Sequence, residues 1–117
     1  MSLVRKAAAA VRGAWWALGA VRSVRRQLRR RAPHAVRVPA PPAPTPGAGR
    51  GVGAVLRCVS PSCLECALVM QRWLGAMGTP RAVVIGVTAP GPAFRAHAWL
   101  DGEPAPGFSE LTRIEPC

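Results

Sequence analysis

A segment rich in proline and glycine divides the chain into two parts of different chemistry. Residues 39–53, PAPPAPTPGAGRGVG, combine prolines that hold a chain extended with glycines that loosen it, which is typical of a linker. Because the whole chain has 117 residues, it has room for one domain and not two. We therefore predict a basic segment at 1–38, a linker at 39–53 and one small folded core at 54–117.

Most of the positive charge lies in the first segment. The chain carries 16 Lys and Arg against 5 Asp and Glu, and residues 1–38 contain ten of the basic residues and none of the acidic ones. Apolar residues recur at steps of three and four from Val4 to Leu28, which predicts an amphipathic helix over 3–31 that ends before Pro33. Such a helix could bind nucleic acid, anionic lipid or an acidic protein; the alternative is a helix whose arginine face is solvated and whose apolar side packs on its own domain.

The N-terminal segment matches neither a membrane span nor a secretory signal. Its longest uncharged apolar stretch is Gly13–Val21, between Arg12 and Arg22, whereas a membrane span needs about 20 residues. An arginine run follows where a signal peptide would have small residues at its cleavage site. We therefore expect a cytoplasmic protein whose 4 Cys are catalytic, metal-binding or inert thiols and not disulfides.

Residues 62–78 carry the start and stop signals of a helix. Ser62 and Glu65 fit a capping box, and Gly78 fits the left-handed position just after a helix. Cys63 then lies on the first turn, where free N–H groups and the positive end of the helix dipole favour the thiolate, the nucleophilic form of cysteine. Cys63 is the first candidate for catalysis, and a small buried packing residue is the alternative.

Two short strands are predicted after this helix. Residues 81–88 are rich in β-branched residues, as in a strand buried on both faces, and residues 94–100 place His97 and Trp99 on one face. The Asp-Gly turn that follows predicts that residues 103–109 return as a third strand, weakened by two prolines. A histidine opposite a helix-terminal cysteine is the arrangement of cysteine-nucleophile catalysis, and a core histidine is the alternative.

The cysteines also allow a second kind of site. Cys58, Cys63 and Cys66 follow a C-x4-C-x2-C spacing similar to that of plant-type iron–sulfur ligands, and Cys63 with Cys66 is similar to a zinc half-site or a redox pair. The predicted capping box places both of these inside a helix, and a zinc site would have only His97 and Cys117 to complete it. We expect no metal and no cofactor, and a packing role for Cys66.

The run from Cys63 to Pro104 resembles the transglutaminase-like leader peptidases of lasso peptide biosynthesis. The shared features are a Cys-Leu that opens a helix, a glycine turn, a strand close to VIGV, and F-x-A-H-A-W before an Asp-Gly turn. The resemblance implies an α+β, transglutaminase-like and papain-like minimal core, with the cysteine helix packed on a short antiparallel sheet. It implies a cysteine peptidase in which Cys63 is the nucleophile and His97 its base, cutting a ribosomally made precursor peptide between leader and core.

The same resemblance implies partners. These peptidases work with a winged-helix-like leader-recognition domain, either fused or separate, and residues 1–38 are too short and too helical to be one. We therefore expect a separate leader-recognition protein, and an ATP-using lasso cyclase that receives the freed core amine. The basic helix is expected to dock one of these proteins or a membrane surface, and nucleic acid is not expected as a partner.

The sequence departs from the family pattern at the third catalytic residue. The family has an aspartate on the strand after the histidine hairpin, where this chain has Ser109 followed by Glu110. Asp101 and Glu103 lie at the turn and are expected to point away. His97 could therefore be oriented by Glu110, by Asp101 or by a backbone carbonyl, or it could have no orienting group. An inactive scaffold subunit of the same pathway is an alternative function.

Overall fold

The computed structural model describes residues 2–116, which divide into two compact units. The first unit extends to Pro61 and the second begins at Ser62. Within the described residues, the first unit contains two α-helices and a single 3-10 turn, and the second contains one helix and a three-stranded antiparallel sheet. The α+β class predicted from the sequence is confirmed.

The basic segment forms one long helix. Helix α1 spans Leu3–Leu28, and the Ser2 side chain caps it by accepting a hydrogen bond from the Arg5 N–H at 3.2 Å. Small and β-branched side chains form its buried face, namely Ala9, Gly13, Ala17, Ala20, Val21 and Val24. No described helix is long and apolar enough to cross a membrane.

A second helix occupies part of the segment expected to be a linker. Helix α2 spans Ala48–Val59, so residues 48–53 are helical and not extended. Only the proline-rich part of the predicted linker, up to and including the turn that precedes Ala48, lacks helical structure. The prediction of a flexible stretch up to residue 53 relied on glycine content, because glycine is a poor helix former in isolation.

Close packing against α1 explains why this glycine-rich segment is helical. A Cβ atom at Gly13 would overlap the carbonyl oxygen of Ala48, and one at Gly51 would overlap the carbonyl oxygen of Ala10. The two helix backbones therefore approach each other where side chains are absent. Most helical stability in proteins comes from such tertiary packing, which here outweighs the low intrinsic propensity of glycine.

The second unit begins with helix α3, Cys63–Ala76, followed by β1 at Val83–Val87, β2 at Ala96–Leu100 and β3 at Ser109–Ile114. The strands lie in the order β2-β1-β3, and the helix contacts β2 more extensively than β1. The helix and sheet bury a small apolar core, formed by Ala67, Leu68, Val69, Trp73, Val83, Val84, Ala98 and Leu100.

The third strand does not lie where the sequence predicts it. Residues 103–109 were expected to return as a third strand beside β2, but β3 spans Ser109–Ile114 and pairs with β1 instead. The Asp-Gly turn itself forms, with the Glu103 N–H donating to the Leu100 carbonyl at 2.9 Å. Proline has no N–H to donate to a sheet, so the proline-containing segment after the turn is a loop, and β2 lies at the sheet edge.

Candidate active site

The N-terminus of α3 places Cys63 on an exposed first helical turn. The predicted capping box is present: the Glu65 N–H donates to Ser62 Oγ at 3.1 Å, and the Ser62 N–H donates to Glu65 Oε1 at 2.9 Å. These two bonds fix the point at which the helix begins and therefore the position of Cys63 as its first residue. The Cys63 side chain is exposed.

Cys63 and His97 line the same cleft in the second unit, which has a volume of about 440 Å³. One wall is a face of α3 with residues at steps of three and four, and the other wall runs along β2 and the turn after it. Because β2 is the edge strand, residues from both of its faces border the cleft. The lining residues are Cys63, Cys66, Ala67, Met70, His97, Ala98, Trp99, Leu100, Glu103 and Pro104.

Aromatic rings surround the imidazole of His97. The ring centroid of Trp99 lies 5.7 Å away in a stacked arrangement, and that of Phe108 lies 5.2 Å away in a tilted one. The Trp99 ring lies over Gly86, since a Cβ there would come within 2.8 Å of ring atom Cζ3. Trp99, which the sequence placed beside His97, therefore forms part of the cleft lining and also restricts the position of the imidazole.

The two acidic residues considered as a third catalytic group both pair with Arg113. Arg113 donates to Glu110 at 2.6 Å and to Asp101 at 3.4 Å. His97 and Glu110 are both opposite Gly86 on neighbouring strands, but the Trp99 ring occupies the space above that glycine. Within the described residues, packing between aromatic rings is thus the contact that orients His97, and neither carboxylate borders the cleft.

The pairing of Arg113 with the two carboxylates also shifts the pKa values of Glu110 and of Arg113 itself. The hydrogen bond from Arg113 lowers the pKa of Glu110 below its usual value, and the positive charge of Arg113 acts in the same direction. Glu110 in turn raises the pKa of Arg113, with a further contribution from Asp101. A carboxylate already held by a guanidinium is a weaker partner for an imidazole, because its charge is partly neutralised.

Glu103 is the acidic residue that borders the cleft, contrary to the prediction from the sequence. It was expected to point away from the site, but Glu103 Oε1 accepts a hydrogen bond from the Leu100 N–H at 2.8 Å. A carboxylate three residues after a strand end can reach back to a backbone N–H as it does in a capping box, but the predicted hairpin assigned residues 103–109 to a strand and so excluded this geometry.

Cys66 shares the cleft with Cys63. Burial raises the pKa of the Cys66 thiol above its usual value, and electrostatic interactions with Glu103 and with Cys63 raise it further. Cys66 is half-buried, whereas Cys63 is exposed. Cys66 was expected to be a packing residue. Its sulfur is also close enough to Cys63 to interact with it electrostatically, so packing alone does not describe its environment.

The described residues do not assemble a metal site. Among residues 2–116, no three His, Cys, Asp or Glu side chains come together in a way that could hold a metal ion. Cys58 lies exposed on α2 in the first unit, and Cys117, the fourth cysteine of the proposed set, lies outside the described residues. The C-x4-C-x2-C spacing thus places Cys63 and Cys66 together on α3 and leaves Cys58 on another helix.

Comparison with known proteins identifies the family. No curated protein and no solved structure matches the chain. A family profile described as the transglutaminase-like superfamily matches residues 4–116, nearly the full length of the chain, and that superfamily usually has cysteine protease or transferase activity. With a cysteine on a helix N-terminus and a histidine on an adjacent strand lining one cleft, this chain belongs to the transglutaminase-like superfamily.

Proposed function

We propose that the protein is a cysteine peptidase that removes the leader from a ribosomally made lasso precursor peptide. The observation that carries the proposal is the shared cleft of Cys63 and His97, in a chain of the transglutaminase-like superfamily. The lasso specificity is supported by the sequence resemblance of the run from Cys63 to Pro104 to leader peptidases of that pathway. A cleft at a sheet edge is suited to an extended peptide substrate.

The proposed reaction is acyl transfer through a thioester. His97 accepts the proton of the Cys63 thiol, and the thiolate attacks the carbonyl carbon of the leader–core bond. The bond from carbon to nitrogen breaks as His97 gives that proton to the core amine, which leaves. His97 then takes a proton from water, the resulting hydroxide cleaves the thioester, and the leader departs as a carboxylate while Cys63 recovers its proton.

The protein partners in this proposal are a separate leader-recognition protein and a lasso cyclase. We assign their docking to the exposed face of α1, a stripe of residues opposite the face that packs on α2. Val4, Val11 and Trp15 on this face are 79%, 55% and 70% exposed, and a groove of about 480 Å³ continues it. This arginine groove is lined by Gly19, Arg22, Arg25, Arg26 and Arg29.

Charge and exposed apolar area together support a protein partner with an acidic rim around an apolar centre. Deleting residues 1–38 would also uncover the face of α2 that packs on α1, so point substitutions are the cleaner test. Trp15→Glu should weaken binding of the leader-recognition protein at least about tenfold, as expected for an aromatic anchor. Tight binding to vesicles of anionic phospholipid, with no binding to that protein, would instead assign the face to a membrane.

The activity is tested by incubating the protein with the precursor peptide and the leader-recognition protein, and following peptide masses. Cys63→Ala and His97→Ala should abolish cleavage, because the first removes the nucleophile and the second removes the proton carrier. Cys66→Ala should still cleave, and Cys58→Ser, on a different helix, is the matched cysteine control. Cleavage that survives Cys63→Ala but not Cys66→Ala would reject the assignment.

A catalytically inactive scaffold is the alternative function, and the same experiment separates the two. An inactive subunit would bind the leader-recognition protein but leave the precursor mass unchanged. In that case a Cys63→Ala substitution would have no effect on any measured step, whereas Trp15→Glu would still weaken binding.

A further inference from the structure

The first turn of α3 carries two thiols at a separation that suits a disulfide. In an α-helix, residues three apart have Cα atoms about 5 Å apart and lie on one face. Disulfides form between Cα atoms about 4.4–6.8 Å apart, so the pair falls inside the allowed range. Cys63 is the first residue of the helix and Cys66 is three residues later, and both border the same cleft.

The two thiols have different environments, which suits different roles. Cys63 is exposed and can meet a dissolved oxidant, whereas Cys66 is half-buried behind it. Burial, Glu103 and Cys63 all raise the pKa of Cys66, which keeps the Cys66 thiol protonated and so less reactive toward a dissolved oxidant. An accessible thiol followed by a shielded one is the arrangement in which the second thiol resolves the oxidised form of the first.

We propose that Cys63 and Cys66 form a reversible disulfide when the protein meets hydrogen peroxide, so that Cys66 is a resolving thiol that protects Cys63 and switches the site off. The loss of cleavage rests on the proposed function, because it requires Cys63 to be the nucleophile. The disulfide chemistry itself does not, since it depends only on the two sulfurs.

Each step of the proposed modification balances. The Cys63 thiolate attacks one oxygen of hydrogen peroxide, the S–O bond forms, the O–O bond breaks, and hydroxide leaves and is protonated to water. The Cys66 sulfur then attacks the sulfenic sulfur of Cys63 and loses its proton, the S–S bond forms, and the S–O bond breaks with release of a second water. Peroxide is reduced, and the two thiols lose two hydrogens between them.

The test uses the full chain with Cys58→Ser and Cys117→Ser, so that only these two thiols remain. Tryptic cleavage after Arg57 and Arg72 places all three cysteines of this region on one peptide, which is why Cys58 must be replaced. Equimolar hydrogen peroxide should lower the mass by about 2 Da and block alkylation of both thiols by iodoacetamide. Dithiothreitol should restore both the mass and the alkylation.

Adding Cys66→Ala to that background removes the resolving thiol. Cys63 should then gain about 16 or 32 Da, and the heavier form should resist dithiothreitol, because sulfinic acid is not reduced by thiols. The proposal is overturned if the two-thiol protein also gains oxygen at Cys63 while Cys66 remains fully alkylated. It is equally overturned if Cys63 resists peroxide in the folded protein.

A parallel cleavage assay separates this proposal from the proposed function. If both hold, peroxide abolishes cleavage in the two-thiol protein and dithiothreitol restores it, whereas in the added Cys66→Ala variant the fraction that has gained about 32 Da is not restored. If the disulfide forms but no form of the protein cleaves precursor, the peptidase assignment fails and the modification stands. If cleavage occurs and no disulfide forms, the modification fails and the peptidase assignment stands.

Discussion

Glu103 influences the cleft through both a hydrogen bond and a charge. Its carboxylate accepts from the Leu100 N–H at 2.8 Å, and its negative charge is one of the causes of the raised pKa of Cys66. Burial is the largest cause, and Cys63 contributes as well. Since a raised pKa favours the protonated thiol, Cys66 should remain unreactive at a pH at which an ordinary thiol, with a pKa of about 8.5, is half ionised.

Glu103→Gln is expected to make Cys66 more reactive at a given pH. The substitution removes the negative charge but keeps an oxygen that can accept from the Leu100 N–H, so the pKa of Cys66 should fall toward its usual value without reaching it, because burial remains. The rate of iodoacetamide reaction at Cys66, followed by mass in a Cys63→Ala background, should rise earlier along a pH series. Glu115→Gln is the control, and an equal rise in that variant would contradict the explanation.

The Arg113 pairs link the turn after β2 to β3, and they predict a pH dependence of stability. Because Arg113 lowers the pKa of Glu110, the pair stabilises the fold above the usual glutamate pKa, and the effect is lost as pH falls through the lowered value. Glu110→Gln should therefore lower the unfolding temperature slightly at neutral pH, and the difference from the unsubstituted protein should shrink at a pH below the usual glutamate pKa of about 4.3. Thermal unfolding at both pH values measures this, and an equal difference at both would contradict it.

The same substitution tests how His97 is oriented. If aromatic packing orients the imidazole, Glu110→Gln should leave cleavage within about threefold, a small effect beside the orders of magnitude lost with an orienting acid. Phe108→Ala should lower the rate more than Glu110→Gln does, because the Phe108 ring lies 5.2 Å from the imidazole and restricts its position. A far larger loss in Glu110→Gln would make Glu110 the orienting acid.

At the scale of elements, helices α1 and α3 could be predicted because their signals are local. The capping box of Ser62 and Glu65 and the left-handed Gly78, with φ at 86°, mark the ends of α3 within a few residues of the prediction. Helix α2 could not be predicted, because it depends on the fit of its backbone against α1. The pairing of β3 with β1 could not be predicted either, because it depends on the path of a loop across the sheet.

The candidate site divides in the same way. Cys63 and His97 could be selected from the sequence, because a helix start and a strand alternation identify their local positions, and the structure places both on one cleft. The sequence did not allow us to predict the contact of His97 with Phe108 or the position of Glu103 on the cleft wall. Both depend on residues 103–108 being a loop, which the predicted hairpin excluded.

The helix crossing in the first unit gives a prediction with a matched control inside α1. Gly13→Ala places a methyl group against the backbone of Ala48, which cannot move aside as a flexible side chain could, whereas Gly19→Ala meets nothing within 4 Å. Overpacking costs about 1–3 kcal/mol and the helix propensity of alanine returns about 1 kcal/mol. Gly13→Ala should therefore lower the urea midpoint and Gly19→Ala should raise it. Equal shifts would mean that α1 and α2 do not cross at Gly13.

At the scale of the whole molecule, charge is divided between the two units. The first unit contains twelve of the 16 basic residues and none of the 5 acidic ones, whereas the second, with the cleft, is close to neutral. The positive long-range field therefore originates in the first unit, where we propose that a partner docks, and the proposed chemistry occurs in the second unit. Salt shortens the range of electrostatic interactions, from a Debye length of about 10 Å at 0.1 M to about 3 Å at 1 M. Docking of a partner on the first unit should therefore depend on salt more strongly than the chemistry in the cleft of the second unit.

Cleavage that depends on the leader-recognition protein should therefore fall as salt rises, while alkylation of Cys63 should change little. Replacing the four arginines of the arginine groove with glutamine should reduce the salt dependence, because those charges would no longer contribute to docking. The control removes four exposed charges elsewhere, at Arg50, Arg57, Arg81 and Arg95, and so has the same net charge. An equal effect in both variants would mean that net charge, and not the groove on α1, brings the partner to the protein.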